Sequence, residues 1–195
     1  MISGLLGSAF FPIEGPRSDI ARIVYCTAVG DDTYKAARHN LYLDALVHRG
    51  VEVLQGHFSR ERVQCRAACG QTWMRTTEKR SDVHLALSLF HDACTTDISD
   101  FYLLAADGDQ AATAEFVRRH APEKKLFTVV PPGRAINHAI GALAHGKHRL
   151  NVAVLEACLL PLEITDGTGA VIARAPRQYH PPPGWVAPRD RPRRK

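Results

Sequence analysis

Two short acidic stretches lie a helix and a strand apart in this chain. Glu78-Lys79-Arg80-Ser81-Asp82-Val83 opens an apolar helical segment, and Asp107-Gly108-Asp109 closes the strand-like run Phe101-Tyr102-Leu103-Leu104. Residues just past the carboxyl ends of parallel strands line the functional crevice of an α/β sheet. Carboxylates gathered there suit a hard divalent cation, Mg or Mn, which takes oxygen ligands. Such an ion activates water and neutralises charge on a phosphate. The spacing therefore points to metal-dependent phosphodiester chemistry, with Asp82, Asp107 and Asp109 as catalytic and metal-binding carboxylates. Each also has a plainer role: Asp109 as a helix cap, Asp82 or its neighbour Ser81 as another, and Asp107 as a turn residue. Together the plain roles weaken, because two like charges at one strand end repel unless a cation relieves them.

The elements that must position these residues follow from periodicity. Short apolar, β-branched runs predict strands at 21–28, 51–58, 100–106 and 126–130. Helical spacing predicts helices over 33–49, 81–94, 110–120, 135–144 and 154–159, the first capped by Asp31 or Asp32 and stopped by Gly50. Residues 59–77, with Cys65, Cys69, Gly70 and several charges, read as a loop or a small hairpin. Alternation of strand and helix is the signature of a parallel sheet with helices on both faces.

The two acidic motifs, in this order, resemble those of the NYN domain family, a branch of the PIN-like nucleases. The family pattern is Glu-Glu-Lys-x-Ser/Thr-Asp-Val, an apolar helix, then a strand ending Ser-x-Asp-x-Asp. Here Glu78-Lys79-Arg80-Ser81-Asp82-Val83 and Ala105-Ala106-Asp107-Gly108-Asp109 follow it, with Ala105 in place of the usual Ser and Gln110 in place of the usual apolar residue after the second Asp. The resemblance covers about residues 20–165 and implies a three-layer PIN-like, Rossmann-like parallel sheet flanked by helices. It further implies active-site roles for Asp82, Asp107 and Asp109, with Glu78 and Lys79 on the neighbouring loop at the substrate, single-stranded RNA. Arg134 is a further phosphate-contact candidate. The chain departs from the family in lacking its opening strand and Asp-Gly-x-Asn motif before Ala21. The strands at 21–28 and 100–106 are then expected to be separated by a missing ladder, or bridged by residues 2–13. The expected function is a Mg- or Mn-dependent ribonuclease, the alternative a catalytically impaired RNA- or nucleotide-binding adaptor.

Composition bounds these readings. A length of 195 residues fits an irregular segment at 1–20, an NYN/PIN-like domain at 21–165 and a flexible Pro/Arg-rich tail at 166–195. The net charge of +5 is concentrated at the end: Arg174 to Lys195 holds seven of 25 basic residues and one of 20 acidic ones. The remainder is almost neutral, so the basicity sits in the tail, which reads either as a nonspecific nucleic-acid contact or as a solubilising, solvated terminus. No apolar run has the length to span a bilayer. Residues 1–11 lack the basic start of a signal peptide. The five cysteines, Cys26, Cys65, Cys69, Cys94 and Cys158, are odd in number and scattered, which predicts reduced thiols and a cytoplasmic protein. Two loop cysteines and His57 fall short of the four ligands of structural zinc.

Overall fold

The computed structural model describes residues 20–67, 69–105 and 107–191. They form two compact units, one of residues 23–85 and one of the described residues before Ile23 and from Ala86 onward. The division falls inside a continuous helix, α2 (Ser81–Thr95).

The first unit begins with β1 (Val24–Thr27), α1 (Thr33–His48) and β2 (Glu52–Gln55). β1 and β2 pair in parallel, Val24 opposite Glu52 through Thr27 opposite Gln55. Asp32 caps α1: its carboxylate accepts the Lys35 N–H at 2.9 Å, which satisfies one of the helix's orphan donors. That bond holds the Asp32 carboxyl below its ordinary range. Gly50, at φ 80°, turns the chain out of the helix, and Val51 is buried behind it. Tyr25 and Tyr42 pack edge to face, 6.1 Å between centroids, and fasten α1 to β1.

The expected strand at 51–58 is divided by Gly56. Before it, β2 pairs with β1; after it, β3 (His57–Gln64) pairs antiparallel with β4 (Thr72–Lys79). The Gly56 N–H donates to the Thr27 carbonyl at 2.8 Å, and its Cα lies against the backbone of Lys79. A side chain there would collide with the Lys79 carbonyl, so only glycine lets the chain change partners at this point. Residues 59–77 are accordingly no loop: β3 and β4 stay in register from His57 opposite Lys79 to Gln64 opposite Thr72. Glu61 and Arg75, directly opposite each other, form a cross-strand ion pair.

The second unit is built on β5 (Asp100–Leu104), β6 (Lys125–Val130) and β7 (Gly146–Arg149), parallel and in that order. The helices α3 (Gln110–His120) and α4 (His138–Leu143) make the two crossovers. Phe101, Leu103, Leu126, Thr128, Val129 and Val130 are buried, as are Ala114 and Val117 of α3 and Ile140 of α4. This is the core, and its apolar burial is the main favourable term for the unit. Tyr102 and Phe127, opposite each other in the ladder, stack at 4.9 Å between centroids, with His148 beside them. Burial, helped by the Asp100 charge, pushes the Tyr102 hydroxyl up. Gly146 leaves the room this stack needs, since a β-carbon there would come 2.7 Å from the Phe127 ring.

Two short elements follow. α5 (Val152–Ala157) is capped by Asn151, and β8 (Glu163–Thr165) pairs antiparallel with β9 (Val171–Arg174). The domain boundary expected at 165/166 thus falls within a hairpin. Farther on, Arg191 pairs with Glu156 at 3.0 Å and donates to the Val186 carbonyl.

The chain is α/β, as expected, but the described strands do not form one parallel sheet. Among the described residues there are four small sheets: β1–β2 and β5–β6–β7 parallel, β3–β4 and β8–β9 antiparallel. Among the described residues no ladder joins β1 to β5, and residues 2–13 lie outside them. No helix among the described residues is long and apolar enough to cross a membrane.

Candidate functional site

The carboxyl ends of β5 and β6 open into two loops that meet. The first runs from Ala105 to Asp109 and leads into α3; the second runs from Pro131 to Asn137 and leads into α4. Asp107 shapes the first: its Oδ1 accepts the Asp109 N–H at 3.1 Å, a side-chain-closed turn. Asp109 occupies the capping position of α3, yet its carboxylate makes no capping hydrogen bond. Both carboxylates are exposed. Behind the turn, the buried Gln110 accepts the Thr113 hydroxyl at 2.9 Å within the start of α3.

The second loop turns at Gly133, φ 75°, where the left-handed conformation favours glycine. Arg134 follows and is exposed, with no carboxylate among the described residues paired to it. Asn137 ends the loop by capping α4: its Oδ1 accepts from Ala139 N at 2.9 Å and Ile140 N at 3.3 Å. Its amide nitrogen lies against Gly108, which joins the two loops. The crevice therefore brings Asp107, Asp109 and the loop of Arg134 to the carboxyl end of one sheet, with two exposed carboxylates and an arginine that pairs with no carboxylate among the described residues.

The other expected residues belong to the first unit. Glu78 and Lys79 are exposed on β4, opposite Phe58 and His57. Arg80, at φ 80°, is in the left-handed region, and its carbonyl accepts the His84 N–H to begin α2. Ser81 is buried, while Asp82 is exposed in the first helical turn, where a negative charge favours the helix dipole. Sequence reasoning overlooked Asn137, although an Asn just before an apolar helical segment is a capping signal.

No protein-family model matches the chain, and no solved structure matches it. Over 161 residues it is 28% identical to "6-hydroxy-3-succinoylpyridine 3-monooxygenase HspA" of Pseudomonas putida (strain DSM 28022 / S16). That match covers 72% of this chain and 50% of the relative, so the chain spans about half the length of the curated relative it matches.

These findings correct the expected function. A relative named as a monooxygenase points to oxidation–reduction, not to a nuclease, ribonuclease or other hydrolase. The expected Mg or Mn cofactor is corrected with it: among the described residues no three His, Cys, Asp or Glu side chains gather to hold a metal ion. Physically, Asp107 is engaged in its own turn, and a pair of exposed carboxylates without a third is a poor cage for a hard cation.

Proposed function

We propose that this chain is the substrate-binding part of an oxygenase-type enzyme acting on a hydroxylated nitrogen heteroaromatic ring that carries an acidic arm. The observation that carries this is the 28% identity over 161 residues to a monooxygenase whose named substrate is 6-hydroxy-3-succinoylpyridine. The crevice of the second unit suits such a molecule. Arg134 offers a planar, permanently charged fork for the carboxylate of the arm. Asp107 and Asp109 offer acceptors for a ring hydroxyl or ring N–H.

The same crevice does not fit the diphosphate of a flavin or nicotinamide dinucleotide. A dinucleotide site takes a glycine-rich turn whose backbone amides meet the phosphates. The turn after β5 has one glycine, Gly108, and two exposed carboxylates that would repel a diphosphate. We therefore assign the crevice to the organic substrate. The likeness of the acidic motifs to NYN domains concerns the ancestry of the scaffold, and one scaffold hosts unrelated chemistries.

The test is a calorimetric titration of the full chain with 6-hydroxy-3-succinoylpyridine, for wild type, Arg134→Gln and Asp107→Asn. Saturable binding, weakened about tenfold by Arg134→Gln through loss of a charge-assisted bond, is the expected result. No binding by wild type rejects the substrate class. Equal binding by wild type and Arg134→Gln removes the site from this crevice.

A further inference from the structure

The tip of the β3–β4 hairpin carries two cysteines that the crevice does not use. Cys65 N–H donates to the Gln71 carbonyl and Cys69 N–H to the Ala67 carbonyl, each at 2.8 Å, so the tip is closed by its own backbone. Gly70, at φ 67°, returns the chain to β4 with open space around it. These backbone bonds hold both cysteines in one tight turn, with the Cys65 thiol on the side of the Cys69 sulfur. Both are free thiols, Cys65 half-buried and Cys69 exposed.

We propose that Cys65 and Cys69 form a reversible dithiol–disulfide pair that reacts with small disulfides bearing carboxylates. The backbone bonds that put both cysteines in one short turn supply the first requirement, proximity within a loop that can close. The second is a nucleophile. Cys69 is held below the usual thiol range, first by the Gln71 backbone N–H and then by the Cys65 thiol, so thiolate is favoured there. The third is attraction. On residues 57–79, Arg60 pairs with Asp31 and Arg75 with Glu61, and Arg62, Arg66 and Lys79 still outnumber Glu78, so the hairpin keeps a cationic excess that draws an anionic reagent.

The exchange balances in two steps. The Cys69 thiolate attacks one sulfur of the small disulfide, whose S–S bond breaks and releases one thiolate. Cys65 then loses its proton to solvent and attacks the Cys69 sulfur, expelling the second small thiol. Two protein thiols are oxidised and one small disulfide is reduced to two thiols. Cys69 is the attacking residue because it is exposed and stabilised as thiolate; Cys65 resolves the adduct. An exposed pair in a short loop belongs to the labile class of disulfides, not to the structural one.

Arg66 separates the two cysteines, which gives the experiment its readout. The full chain is equilibrated with reduced and oxidised glutathione at graded ratios, blocked with N-ethylmaleimide and digested with trypsin without reductant. Cleavage after Arg66 frees residues 63–66 and 67–75, which remain joined only if Cys65 and Cys69 are bonded. The expected result is that joined product, rising with oxidised glutathione and lost on adding dithiothreitol. Cys65→Ser should stop at a glutathione adduct on Cys69, and Cys69→Ser should lose the joined product. The proposal is overturned if the product is absent at every ratio, or if Cys65→Ser carries its adduct on the exposed Cys94 instead of Cys69.

Discussion

Gly108 and Asn137 touch across the crevice: a β-carbon on Gly108 would lie 3.0 Å from Asn137 Nδ2. The contact couples the turn after β5 to the cap of α4. Asn137 is held by two backbone N–H groups and has little freedom to retreat.

Gly108→Ala should therefore destabilise the protein, and it should do so through Asn137. Asn137→Ala alone should cost about 1 kcal/mol, the usual loss for a helix cap. In the double variant the Gly108→Ala cost should shrink, because the colliding amide is gone. Urea unfolding of the four proteins gives the coupling energy directly. Simple additivity would mean that the two loops are independent.

A harsher effect is expected at Gly56. A β-carbon there would stand 2.3 Å from the carbonyl oxygen of Lys79, a backbone atom that cannot swing aside. Gly56→Ala should lower stability by about 1–3 kcal/mol or more, as overpacking does. Gly167→Ala, which meets nothing within 4 Å, serves as the control. Thermal unfolding of both variants decides it: equal melting temperatures would deny the tight junction.

The thiols should separate by pH. Cys69 is held low by hydrogen bonds to its sulfur, whereas burial pushes the Cys158 thiol up. Only the thiolate alkylates, so a lowered value moves reaction to lower pH. Iodoacetamide labelling followed by peptide mass spectrometry should show Cys69 reaching half-maximal rate at lower pH than Cys158. The reverse order would contradict both environments.

Acid stability should depend on Asp166. Its carboxylate accepts the Thr168 hydroxyl and the Thr168 and Ala170 N–H groups in the β8–β9 turn. These bonds, the hydroxyl first, hold its carboxyl below the ordinary 3.8. The unfolded chain then binds more protons in that window, so stability rises with pH across it. The contribution is complete above 3.8 and is lost as pH falls through the lowered folded value. Urea midpoints measured down the acid range should fall less steeply for Asp166→Asn than for wild type. Some slope should persist, since Asp32 and Glu156 are also held low.

Local grammar made much of this fold legible. The branched run of β6, the capped segment of α1 and the periodic segment of α3 appear near their expected positions because local preference and burial agree there. The hairpin at 57–79 was legible only as one of two alternatives, a loop or a small hairpin. Its residues are charged and mostly exposed, so no alternating apolar face announced it; cross-strand pairing and Gly56 hold it. β7 is a polar Gly-Lys-His-Arg stretch that becomes a strand only because β6 lies beside it. At the crevice, turn chemistry rightly put Asp107 and Asp109 at a strand end. The metal did not follow, because two carboxylates in one turn state a charge and a position but no ligand.

Phe127 and Gly146 have a consequence for how this chain can evolve. The ring of one fills the volume that any side chain on the other would need. Neither site can drift alone: an aromatic at 127 obliges glycine at 146, and a larger residue at 146 becomes tolerable only after 127 has shrunk. The two positions should therefore be inherited as a pair, leaving a covariation mark by which descendants of this sheet could be recognised from sequence where overall identity has faded.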